Sequence, residues 1–101
     1  MKEKIENILI KNNFNPSLKG FNYIVSSILY MFENNITPSE IKLCKELYAE
    51  IAKKHNTSPS SVDRCIRGSV YESHYKDAQE LTPSNSKFLG ILYYLIKHEA
   101  L

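Results

Sequence analysis

Apolar residues recur along almost the whole chain at intervals of three and four positions, which is the period of an amphipathic helix. No alternating stretch of the kind expected for a strand competes with this pattern. It predicts a first helix around residues 5–9 and a second from about 18 to 33. The second helix carries one apolar stripe, which consists of Phe21, Ile24, Val25, Ile28, Leu29 and Phe32. A last helix is predicted to hold the apolar residues Phe88, Leu89, Ile91, Leu92, Leu95 and Ile96. We therefore expect an all-α fold, a compact domain of five or six helices.

Three capping signals divide the remaining chain. Thr37-Pro38-Ser39-Glu40 combines an N-cap hydroxyl, a proline at the first helical position and a glutamate, and it predicts a helix that continues to about residue 52. Ser58-Pro59 repeats the signal and predicts a helix from residue 59 to about 75, while Thr82-Pro83-Ser84 introduces the last helix. Asparagines are expected to end the earlier helices, and Asn56 lies in the predicted turn before residue 59.

The segment at about residues 47–75 has the spacing of a helix-turn-helix. In such units a small residue in the first helix allows a close crossing, and apolar residues ten and thirteen positions later anchor the second helix. Ala52 is the small residue here, with Val62 ten positions on and Cys65 thirteen positions on. The spacing predicts a helix-turn-helix within a single domain at residues 1–101.

The only two arginines of the chain are Arg64 and Arg67, on the second helix of this unit. At about 100° per residue, they share a face with Ser60 and Tyr71, opposite the apolar anchor. An arginine fork binds a guanine edge bidentately, so we predict Ser60, Asp63, Arg64 and Arg67 as base-reading residues. The alternative is a solvated helix face, with Asp63 and Arg67 as an ordinary ion pair four residues apart.

Positive charge is concentrated around the same unit. The chain has a net charge of +2, whereas residues 53–76 alone hold five basic and two acidic residues. Basic side chains, hydroxyls and helix-start amides hold phosphates without reading sequence. The predicted phosphate-contacting residues are Lys53, Lys54, Thr57 and Ser58.

Other chemistry has little support in the sequence. His55, His74 and His98 lie on separate segments without a partner at ligand spacing, so they are interpreted as surface or phosphate-facing residues. Cys44 and Cys65 fit neither a disulfide framework nor a metal or redox motif, which favours reduced thiols in the cytosol. We predict no metal, no cofactor and no enzymatic activity. The absence of a signal peptide pattern or a membrane-length apolar run predicts a cytoplasmic protein.

Four segments together resemble a known family. They are residues 18–23 (LKGFNY), 47–57 (LYAEIAKKHNT), 62–67 (VDRCIR) and 83–88 (PSNSKF). They look like the C-terminal effector domain of the master sporulation response regulator of endospore-forming Firmicutes. The resemblance implies a six-helix domain that binds double-stranded DNA at a TGTCGAA-type box, often as tandem copies. It also implies a homodimer on tandem sites and RNA polymerase sigma factor as a partner.

The same resemblance adds Ser61 to the base-reading residues. Asp63, Arg64 and Arg67 match an acid and two arginines of the family's recognition helix, where the acid is usually glutamate. Ser61 stands where the family commonly has a DNA-contacting arginine, so we expect a target box that differs on one flank. The chain begins where the effector domain would begin, so no phosphoacceptor receiver domain is expected in it.

Two functions remain open on these grounds. The leading hypothesis is sequence-specific binding of double-stranded DNA in transcription regulation. The alternative is a protein-interaction module that pairs with a sporulation regulator or RNA polymerase without reading DNA. The segment between residues 75 and 83 is shorter than in the family, where an additional helix is implicated in sigma-factor contact. An apolar outer face of Leu89, Tyr93 and Ile96 on the last helix would favour the alternative.

Overall fold

The computed structural model describes residues 1–37, 44–73 and 84–99. All regular secondary structure in these three ranges is α-helical, which confirms the predicted all-α class. The helices, in chain order, are α1 (Lys2–Lys11), α2 (Lys19–Glu33), α3 (Cys44–Lys54), α4 (Pro59–Glu72) and α5 (Asn85–Glu99). Residues 38–40 of the predicted capping motif lie outside the described residues. The predicted linker 76–80 and the predicted motif residues Thr82 and Pro83 also lie outside them.

Asparagine ends three of the helices in the same way. Each of these asparagines has a left-handed backbone, a conformation that asparagine tolerates better than most residues. They are Asn13, Asn35 and Asn56, with φ of 68°, 54° and 56°. In each case the next amide donates to a carbonyl of the last helical turn, as in a Schellman motif. These bonds are Phe14 N to Leu9 O (3.0 Å), Ile36 N to Met31 O (2.9 Å) and Thr57 N to Ala52 O (2.8 Å).

α2 is the central helix, since it packs against each of the other four described helices. Its buried side includes Phe21, Ile24, Val25 and Ile28, four members of the predicted stripe. Tyr23 and Met31 are buried as well, which the stripe did not predict. The burial of both sides of α2 follows from its position between α1 and α5 on one hand and α3 and α4 on the other. These helices share one continuous hydrophobic core.

α5 buries only some of its apolar residues. Phe88, Leu89, Leu92 and Ile96 are buried, whereas Ile91 and Leu95 are 45% and 49% exposed. Tyr93 is also buried and stacks on Phe32, with ring centroids 4.5 Å apart. The packing of α5 on α1, α2 and α4 covers only part of its circumference.

α2 and α4 approach each other most closely at Gly20. A methyl group at this position would collide with the backbone carbonyl of Cys65 and with the Ser69 hydroxyl. Gly20 is therefore required by the crossing of two helix backbones rather than by an unusual torsion angle. A larger residue would push α4 away from the central helix.

We expect Gly20→Ala to destabilise the fold by about 1–3 kcal/mol, the usual range for overpacking against backbone that cannot move aside. Gly68→Ala is the matched control, because a methyl group at Gly68 meets nothing within 4 Å. Removing a glycine from a helix interior should stabilise the fold by about 0.5–1 kcal/mol. Urea denaturation measures both changes. Equal effects of the two substitutions would show that the approach at Gly20 is not tight.

Candidate nucleic-acid interface

α3, the turn 55–58 and α4 form the predicted helix-turn-helix. The Ser58 side chain caps α4 by accepting from Ser61 N at 3.2 Å, and Pro59 occupies the first turn. The Ser58 carbonyl accepts from Val62 N at 3.0 Å and begins the helical bonding. The predicted start of α4 is confirmed, whereas the helix ends at Glu72 rather than near residue 75.

One face of α4 forms the anchor on the core. Val62, Ile66 and Val70 have no exposed surface, and Ser69 is buried beside them. Ala52 is also buried, and Cys65 is half-buried against the core. The predicted spacing from Ala52 to Val62 and Cys65 therefore corresponds to the packing between α3 and α4.

The opposite face of α4 lies in solvent. Ser60, Arg64, Arg67 and Tyr71 are exposed, and Ser61 and Asp63 are half-buried at its margin. The last turn of α3 adds the exposed Lys53 and Lys54, and the turn adds half-buried Thr57 and exposed Ser58. The nine residues predicted as base-reading or phosphate-contacting therefore lie close together in the chain, on α4 and the segment just before it.

The two arginines of α4 differ in whether a neighbouring side chain holds the guanidinium. Arg67 Nη2 donates to Asp63 Oδ2 at 2.9 Å, while the Arg67 side chain remains 63% exposed. An exposed pair of this kind adds little to stability, so its main effect is to orient the guanidinium. No side chain in the described ranges forms a hydrogen bond with the Arg64 guanidinium. Within this described part of the chain, nothing competes with a ligand for the donors of Arg64.

Asn85 connects α5 to α4 and was not predicted from the sequence. Its Nδ2 atom donates to the Asp63 carbonyl oxygen at 2.9 Å and to Asp63 Oδ1 at 3.0 Å. Asn85 is buried although it is the first residue of α5. The signal available in the sequence was a single asparagine after a capping motif, which more commonly indicates a turn. The two carboxylate oxygens of Asp63 are thus used by different partners, Arg67 and Asn85.

His55 is tied to α2 rather than standing free on the surface. His55 Nε2 lies 2.7 Å from Ser26 Oγ, and the ring packs edge-on against Tyr23 with centroids 5.0 Å apart. Burial, together with a smaller effect of the neighbouring Lys54 ammonium, lowers the pKa of His55 below its ordinary value of 6.5. Of the two placements expected for His55, a surface group or a phosphate-facing one, the structure excludes a freely exposed surface group, because the ring is half-buried and bonded to α2.

The described residues form an all-helical arrangement built around a helix-turn-helix. A comparison with protein families matches residues 5–96 to the family described as Sporulation initiation factor Spo0A C terminal. The match covers most of the chain, and the chain belongs to this family. It is a transcription factor domain family rather than an enzyme family.

Residues 1–37, 44–73 and 84–99 contain no group of three or more His, Cys, Asp or Glu side chains that could hold a metal ion. None of the helices described above combines the length and apolar character needed to cross a bilayer.

Stability is expected to fall as the pH is lowered through about 6.5, the unfolded-state pKa of His55. The folded-state pKa is lower, so the unfolded chain binds more protons in this range and is favoured by acid. Urea denaturation between pH 7.5 and 5.5 measures the change. His55→Gln keeps a side chain able to bond Ser26, and its stability should depend less on pH. Identical pH profiles for the two proteins would contradict the assignment.

Proposed function

We propose that this protein binds double-stranded DNA in a sequence-specific manner and acts in transcription regulation. The observation that carries the proposal is the exposed face of α4, on which Arg64 and Arg67 lie side by side. Arg67 is oriented by its ion pair with Asp63. A recognition helix lies in the major groove and contacts base edges from its outer face. The buried anchor on the opposite face holds α4 in a fixed position relative to the core.

Base reading is assigned to Ser60, Ser61, Asp63, Arg64 and Arg67. Arg64 and Arg67 are suited to guanine O6 and N7, which accept both prongs of a guanidinium. Asp63 is proposed to orient Arg67, because its carboxylate already accepts bonds from Arg67 and Asn85. Accepting from a cytosine amino group would require one of these bonds to be exchanged. Ser61 presents only a short hydroxyl, so the adjoining flank of the box is expected to be read less strictly.

Phosphate contact is assigned to Lys53, Lys54, Thr57 and Ser58. The two lysines lie at the C-terminal end of α3, and the two hydroxyl residues precede the first turn of α4. Groups in this position can fix the register of the recognition helix on the backbone without reading sequence. They surround the base-reading face on the side where α4 begins.

The family description supports a role in sporulation for this chain. The proposal takes residues 1–101 as one effector-like domain that acts in the cytoplasm. It includes binding as a homodimer to tandem boxes and contact with the RNA polymerase sigma factor. These partners follow from the family resemblance, and they extend the DNA-binding proposal.

Arg64→Ala is expected to lower affinity for the specific box about ten-fold or more, since a bidentate pair contributes roughly 1–3 kcal/mol of discrimination. The reason is loss of a base contact, so affinity for random DNA should change much less. Fluorescence anisotropy with both DNAs measures the difference, and Lys2→Gln, at an exposed position on α1, is the control. Equal losses on both DNAs would assign Arg64 to a phosphate, and no loss would remove it from the interface.

A protein-interaction function is the second candidate, and one observation favours it. Leu89, Tyr93 and Ile96, whose exposure would have favoured this function, are buried and form no outer face. A neighbouring face of α5 is apolar and exposed instead, however, with Ile91, Tyr94 and Leu95 each about half exposed. Ile91 and Leu95 also line a groove of about 100 Å³ between α1 and α5.

The double variant Ile91→Gln, Leu95→Gln tests this second candidate. Both side chains are about half exposed, so the fold should be retained. We expect wild-type affinity for a single box, because α5 exposes this face away from the core anchor of α4, and weaker binding to tandem boxes. The measurements are anisotropy on both DNAs and binding to purified sigma factor. If wild type binds sigma factor through this face but does not discriminate between DNA sequences, the interaction module replaces the leading proposal.

A further inference from the structure

A polar cavity lies between the start of α2 and the turn of the helix-turn-helix. It has a volume of about 260 Å³ and opens to solvent. Its lining comes from two separate parts of the chain, namely Lys19, Asn22 and Tyr23 on α2 and His55, Asn56 and Thr57 in the turn. The α2 residues belong to neither the base-reading nor the phosphate-contacting set assigned above.

The cavity is electropositive in composition. Lys19 is exposed at its rim, and Lys54 directly precedes His55 in its wall. Among the residues that the structure describes, no acidic residue lines the cavity, and none lies in the first turn of α2. Asn22 and Thr57 add neutral hydrogen-bond donors. Lysine, asparagine and threonine side chains are the groups that proteins commonly direct at phosphate oxygens.

The walls of the cavity are held by defined contacts. The pair His55 Nε2 and Ser26 Oγ joins the turn to α2 at 2.7 Å, and the Tyr23 ring packs on the histidine. The bond from Thr57 N to Ala52 O fixes the turn itself. The close approach at Gly20 holds the first turn of α2 against α4. The cavity is therefore a preformed feature rather than a gap between loose segments.

The cavity is also continuous with the proposed interface. Thr57 lines it, and the next residue, Ser58, is the N-cap of α4. On the proposed function, a DNA backbone held by Lys54, Thr57 and Ser58 would pass the mouth of the cavity. An acidic protein segment would find similar charge there, but nothing else in the cavity favours a peptide. The adjacency to the recognition helix favours nucleic acid.

We propose that this cavity receives a phosphate of the DNA backbone, with Lys19 and Asn22 as contacts from α2. The inference rests on the proposed function, which it extends beyond the helix-turn-helix to the central helix. Lys19 supplies the charge, and Asn22 supplies a neutral donor. Because α2 and α4 are locked together at Gly20, a phosphate held on α2 also fixes how deeply α4 enters the groove.

The test is a salt titration of DNA binding by Lys19→Gln, on the specific box and on a scrambled duplex. Neutralising one phosphate contact reduces the slope of log affinity against log salt by roughly one, about equally on both sequences. Lys54→Gln serves as the reference for a proposed phosphate contact. Lys2→Gln is the matched control, an exposed lysine on α1, which packs on α2 and α5. Its slope should equal that of wild type.

Asn22→Ala provides a second, independent measurement. Loss of a neutral hydrogen bond should weaken binding about two- to ten-fold without changing the salt slope. A wild-type slope for Lys19→Gln would overturn the inference, as would wild-type affinity for Asn22→Ala. The proposed function would still stand if Arg64→Ala lost discrimination in the same experiments. Conversely, a reduced slope for Lys19→Gln in a protein that does not discriminate between sequences would support the cavity and refute specific reading.

Discussion

The close packing of α2 against α4 is the contact on which the rest of the structure depends. α2 lies at the centre and touches every other described helix, and Gly20 is the position where its backbone meets that of α4. This contact packs the buried face of α4 against the core, so the face with Arg64 and Arg67 lies in solvent. It also brings the first turn of α2 beside the turn of the helix-turn-helix, where the polar cavity forms.

Much of the fold could be predicted because its determinants are local. Helix periodicity, the Ser58-Pro59 cap and the asparagine turns each depend on a few neighbouring residues, and the structure confirms them. The face of α4 was predictable for the same reason. The spacing from Ala52 to Val62 and Cys65 specifies which side is anchored, and the opposite side follows from the helix geometry.

The missed features depend on contacts between distant segments. Asn85 bonds a residue 22 positions earlier, and His55 bonds one 29 positions earlier. Periodicity cannot indicate such partners, since each residue alone resembles an ordinary turn or surface residue. The choice of which α5 residues are buried has the same origin. Whether Tyr93 or Leu95 faces inward depends on where the other helices stand, here on the ring of Phe32 that receives Tyr93.

The hydrogen bonds of Asp63 restrict which substitutions this domain can accept. Its carboxylate orients an arginine through one oxygen and joins α5 through the other, while its backbone carbonyl accepts from the same Asn85. On the proposed function, a change of specificity at position 63 would therefore also change how α5 attaches to α4, and positions 63 and 85 would be expected to vary together. Arg64 has no such second attachment among the described residues, so a substitution there would leave the contact between α4 and α5 in place.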